Sequence, residues 1–164
     1  MKERGFSLME LMIVLALIVI ILAMAIPSMR EAQMTANETS AVASIRAINQ
    51  AEVQYQETYG GYADSLENLG GADPCTKSST TACLLDQSLA GGAKSGYAFS
   101  AVGSNKADGM NSSFLVGAAP QAFDHTGKRR FCSTEKSVIR ADPNTSGSTM
   151  LPDLDQCSSF HALK

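Results

Sequence analysis

Residues 11 to 26 are sixteen consecutive apolar residues. The run from Phe6 to Met29 spans 24 residues. As a helix it measures about 36 Å, enough for the roughly 30 Å core of a bilayer. Beyond Met29 the pattern changes from apolar all round to one-sided. Ala41, Ile45, Ile48, Ala51, Tyr55 and Tyr59 recur at steps of three and four, which predicts one apolar stripe on a continuing helix. Arg30, Glu31, Glu38, Arg46, Glu52 and Glu57 are assigned to its other faces. Gly60 and Gly61 close it. Such a helix must bury its halves differently. Residues 6–29 need lipid or a bundle of copies, and residues 30–59 need a sheet to cover them.

The rest of the chain reads as shorter elements. Asp64 with Glu67 three residues later predicts a capping box on a short turn ended by Gly70. Residues 71 to 93 read as loop, within a connecting segment 60–94. Strand signals follow at Gly96 to Val102, Ser113 to Ala119, Arg129 to Ser133 and Val138 to Arg140, punctuated by Gly, Asn, Asp and Pro. Residues 95–140 are thus expected to form an antiparallel sheet, and residues 141–164 a C-terminal loop. The fold class is α+β, a long N-terminal helix packed against three or four antiparallel strands.

Composition adds constraints. At 164 residues the chain suits one domain plus a separate N-terminal element. The part beyond the apolar run is rich in Gly, Ser, Ala and Thr, so its core needs help. Four cysteines, Cys75, Cys83, Cys132 and Cys157, can supply it as two disulfides in an oxidising compartment. Of the three connectivities, Cys75–Cys83 and Cys132–Cys157 each close a local segment, and the second ties the tail to a strand. Their spacing lacks the CxxC or His pairs of a zinc site. A net charge of −3 gives no general pull toward nucleic acid. The one basic run, Lys128, Arg129 and Arg130 with Lys136 and Arg140 nearby, reads first as solvated strand and turn, and second as a DNA-binding face.

Candidate chemistry is sparse. Ser133 and Lys136 fit S-x-x-K formally, without the companion motifs that pattern needs. His125 and His161 are isolated, and no phosphate loop or dinucleotide fingerprint occurs. Asp142, Asn144, Asp153 and Asp155 could offer oxygen ligands to calcium, but in no EF-hand spacing, and polar turns explain them better. The reading is of a non-enzyme with no cofactor and no metal.

The informative residue is Glu10, a lone acid within the apolar run. Lys2 and Arg4 precede it, which keeps the N-terminus cytoplasmic and sends the remainder outward. A signal peptide cut at Ala23-Met24-Ala25 would explain export, and a plain anchor would explain tethering. Neither explains an acid in hydrocarbon, which costs a few kcal/mol or more. A cation would offset that cost. Cutting after Gly5 creates one, the α-amino group of Phe6, four residues from Glu10 and on its face of a helix. A neighbouring chain's amine would serve equally.

The segment "KERGFSLMELMIVLALIVIILAMAIP" resembles the N-terminus of type IV pilins and pseudopilins: a charged leader, Gly5, Phe6, Glu10 and the apolar helix. The resemblance covers about the first thirty residues. It implies cleavage between Gly5 and Phe6 by a membrane prepilin peptidase, which also N-methylates Phe6. It implies that Glu10 recruits a subunit by pairing with a neighbour's terminal amine. Pro27 falls where pilins carry a helix-perturbing proline, and otherwise reads as a kink. The implied partners are further copies in a helical filament, an inner-membrane assembly platform with its ATPase, and the membrane before assembly. The globular domain would lie outside the cytoplasm. The implied function is a structural pilin for adhesion or motility. The alternatives are a type II secretion pseudopilin, a minor pilin for DNA uptake, or a tethered or secreted binding module. Major pseudopilins usually carry a Trp-containing, acid-rich calcium loop, and this chain has no Trp.

Overall fold

The computed structural model describes residues 7–163. The chain divides into two compact units, Met1–Gln33 and Met34–Lys164. Helix α1, Leu8–Tyr59, runs without a break. In the first unit its large apolar side chains, Leu15, Leu17 and Ile21 among them, are exposed. By length and composition this helix can cross a membrane.

In the second unit α1 buries Ala41, Ile45, Ile48, Ala51 and Tyr55. The helix stops where Gly60 adopts φ 86°, a left-handed conformation that costs glycine nothing. The sheet has six antiparallel strands in chain order, β1 Ala93–Lys94, β2 Tyr97–Ala107, β3 Met110–Pro120, β4 Arg130–Thr134, β5 Arg140–Asp142 and β6 His161–Ala162, and the stripe shares a core with its β2–β5 part. Period-two alternation selects the core face. Tyr97, Phe99 and Ala101 on β2, Phe114, Val116 and Ala118 on β3, and Phe131 on β4 join the α1 stripe. Cys132, one position from Phe131, belongs to a second small cluster with Cys157, Phe160 and Leu115.

The α+β class holds, with more strands than the sequence suggested. β2 and β3 run on to a two-residue Asp108-Gly109 turn, both residues at positive φ, as a type I′ hairpin requires. The polar stretch from Gly103 to Ala107 read as punctuation, but ladder bonds are made by the backbone. Here Ser104 and Ser113 pair hydroxyls across the strands at 2.9 Å. The C-terminal tail is structured too. Helix α3, Leu154–Ser159, is capped by Asp153, whose carboxylate accepts the Gln156 N–H at 2.8 Å. Strand β6 pairs with β5.

The expected capping box does not form. Ser65 is the N-cap residue of a 3-10 helix, Leu66–Leu69, and makes no side-chain cap bond. Asp64 instead pairs with Lys106 at 2.9 Å. The connecting segment contains helix α2, Gln87–Ala90, capped by Asp86, and buries Leu66, Leu69, Ala82 and Leu89 in the main core.

Two acids assigned to the outer faces of α1 are buried, Glu38 at 8% exposure and Glu52 at 0%. Their spacing explains it. Positions 38, 41, 45, 48, 52, 55 and 59 alternate steps of three and four, so both lie on the stripe. Charge had argued against a position that periodicity already fixed.

Candidate functional site

The site suggested by sequence lies at the start of α1. Gly5 and Phe6 fall outside the described residues. The Ser7 carbonyl accepts the N–H groups of Glu10 at 3.0 Å and Leu11 at 3.2 Å, closing the first turn. Glu10 occupies that turn, where the helix dipole favours a negative charge. Leu8, Met9, Leu11 and Met12 around it are 77, 71, 55 and 64% exposed. Glu10 is exposed as well. The geometry presents one carboxylate within a continuous apolar surface. Such a surface needs lipid or other helices around it, and in either setting an opposite charge would be attracted with little screening.

Position 27 lies within helix α1, Leu8–Tyr59. The cysteines are joined as Cys75–Cys83 and Cys132–Cys157, with Cα separations of 6.0 and 5.8 Å.

The basic run is spoken for. Lys128 pairs with Asp124 at 3.1 Å, Arg129 with Glu38 at 2.7 Å and Arg130 with Asp142 at 2.6 Å. Each cation of the run has an acid beside it, which weakens any field toward phosphates. Glu38 is the hub of this corner. Its Oε1 accepts the backbone N–H groups of Lys128 and Arg129 at 3.0 and 3.1 Å, and its Oε2 accepts from Arg129 Nε. Burial raises the Glu38 carboxyl, but those two N–H groups and the guanidinium together outweigh it and hold it below the usual value.

Ser133, Asp142 and Asn144 make structural hydrogen bonds. Ser133 is fully buried and its hydroxyl accepts from Asn49 Nδ2 at 2.9 Å, while Lys136 is exposed. Asp142 Oδ1 accepts the Asn144 N–H, and Asn144 Nδ2 donates to the carbonyls of Lys128 and Ser148. Among the described residues no group of three or more His, Cys, Asp or Glu is placed to hold a metal ion. Sequence reasoning missed the buried acids Glu38 and Glu52, which the three-and-four spacing could have found.

Residues 1–26 match the family model described as the prokaryotic N-terminal methylation motif, the prepilin signature. No curated protein and no solved structure matches the chain. The motif implies processing by a prepilin peptidase, and with the apolar helix it fits membrane anchoring.

Proposed function

We propose that this chain is a structural subunit, a pilin, of a bacterial type IV pilus-like filament. The observation that carries the reading is Glu10. It is a single exposed acid in the first turn of an apolar helix, inside a segment that matches the methylation motif. In this reading the leader Met1–Gly5 is removed and Phe6 is methylated at its new amine. The subunit waits in the inner membrane with its globular unit outside. It then joins the filament when Glu10 meets the Phe6 amine of a neighbouring copy in a low-dielectric environment. The assembly platform and its ATPase supply the work, and the finished filament serves adhesion or motility. The paired state of Lys128, Arg129 and Arg130 supports this reading over DNA uptake.

Intact mass of the chain from whole cells, from the medium and from sheared filaments tests it. The expected product begins at Phe6 and carries one added methyl group. A product beginning at Ile26 would indicate an exported soluble module, and an intact leader would indicate a simple anchor. Either result overturns the proposal.

A further inference from the structure

Glu52 lies on the buried stripe of α1 with no solvent exposure. Its Oε2 accepts the Ala63 N–H at 3.0 Å, while its Oε1 is buried without a hydrogen-bond partner. Asn111 on β3 holds the same loop through its carbonyls. Its Nδ2 donates to the carbonyls of Tyr62 at 3.1 Å and Ala63 at 3.4 Å, and to Asp64 Oδ1 at 3.0 Å. Those three acceptors fix the amide orientation, and they leave Asn111 Oδ1 buried without a donor. Two acceptor oxygens bracketing Ala63 are therefore each short of a proton.

Among the described residues Glu52 takes part in no ion pair. The groups that share its electrostatic surroundings are Tyr55 on α1 and Tyr62 in the loop. Burial pushes both phenols up, and Glu52 adds to it. Asp64 acts on Tyr55 and Glu135, after β4, acts on Tyr62. Lys106 is engaged by Asp64. An ionised carboxylate here would be buried among neutral and negative groups, an arrangement proteins avoid by binding a proton.

We infer that Glu52 is a proton-binding site: in the folded protein it is a neutral carboxylic acid with its proton on Oε1, and the junction of α1 with the loop from Gly60 to Asp64 is tightest when that proton is bound. The proton removes a buried negative charge that a single N–H group opposes. Burial, opposed by the Ala63 N–H, pushes the carboxyl from 4.5 up to about 7. A folded-state value above the unfolded one means the folded chain holds the proton more tightly. Its stabilisation is full below about pH 4.5 and is lost as pH rises through about 7. The inference does not depend on the filament reading.

The test uses the full chain in detergent micelles. The Ala63 amide shift is followed by NMR against pH, and denaturant unfolding is compared with Glu52→Gln. The glutamine keeps an acceptor for Ala63 and carries a permanent N–H donor. The Ala63 amide should titrate near pH 7. Between pH 5 and pH 8 the wild-type folding equilibrium constant should fall about 70-fold more than that of the variant. An Ala63 transition below pH 5.5, or equal pH slopes for the two proteins, overturns the inference. If Glu52→Gln does not fold, the wild-type Ala63 titration alone decides.

Discussion

Replacing Cys132 and Cys157 together by alanine should destabilise the globular unit far more than replacing Cys75 and Cys83. The bonds span sequence separations of 25 and 8. Loop-closure entropy for those spans gives about 3.5 and about 2.5 kcal/mol. Packing widens the gap. Cys132 and Cys157 are 0 and 1% exposed and lie against Phe160 and Leu115, so losing two buried sulfurs adds roughly 1 kcal/mol. Cys75 is exposed and Cys83 half-buried, so their removal costs little beyond chain entropy. The tail's other ties are Arg130 Nη1 to the Met150 carbonyl and Gln156, Arg140 Nη1 to the Phe160 carbonyl, the β5–β6 pairing, and Phe160 against Leu115. Near-UV circular dichroism melts of the full chain in detergent should show Tm losses of about 18 °C and about 10 °C respectively, at roughly 4 °C per kcal/mol. Limited proteolysis should release the tail only from the Cys132/Cys157 variant. Equal Tm losses, or a larger loss from the Cys75/Cys83 variant, would show that these other contacts hold the tail and that the entropy argument fails.

Other perturbations separate the remaining claims. Glu10→Gln should leave cleavage and membrane insertion intact by mass and fractionation while cutting sheared-filament yield at least tenfold; normal yield would remove charge pairing as the cause. A bulky residue at Gly5 should act one step earlier, leaving the leader attached in the intact mass. Glu38→Gln should cost about 2 kcal/mol near neutral pH, since hydrogen bonds to a charged acceptor are weakened. Because the folded Glu38 carboxyl is held below its unfolded value of 4.5, its stabilisation is present above that pH and lost as pH falls below it. Denaturation at pH 7 and pH 3 should therefore show the variant's deficit shrinking in acid. Gly127→Ala should cost about 1–3 kcal/mol, because a Cβ there overlaps the ring and hydroxyl of Tyr97, which donates to the Arg129 carbonyl at 2.9 Å; an unchanged Tm would mean that this corner yields without strain.

The sequence by itself determined the long helix, its change from all-round apolar to one-sided, and the α+β class. Each rests on local periodicity, which a helix or strand expresses whatever surrounds it. The segment around Glu10 was legible for a related reason: an acid in an apolar run stands out without any tertiary information. Tertiary structure decided what depends on distant partners. Short strands β1 and β6 exist only because β2 and β5 offer them backbone groups, and no side-chain pattern marks a two-residue strand. Asp64 was locally able to cap a turn, but Lys106 and Asn111, brought close by the β2–β3 hairpin, took it instead. Glu38 and Glu52 show the division most clearly. Spacing placed both on the buried stripe, and their charge seemed to forbid it. Only the fold supplied the two backbone N–H groups and the guanidinium that let Glu38 stay ionised. At Glu52 it supplied one N–H and, among the described residues, no cation. One helix thus buries two like residues in opposite electrostatic settings, because an acid's charge is set by the groups that other parts of the chain bring to it.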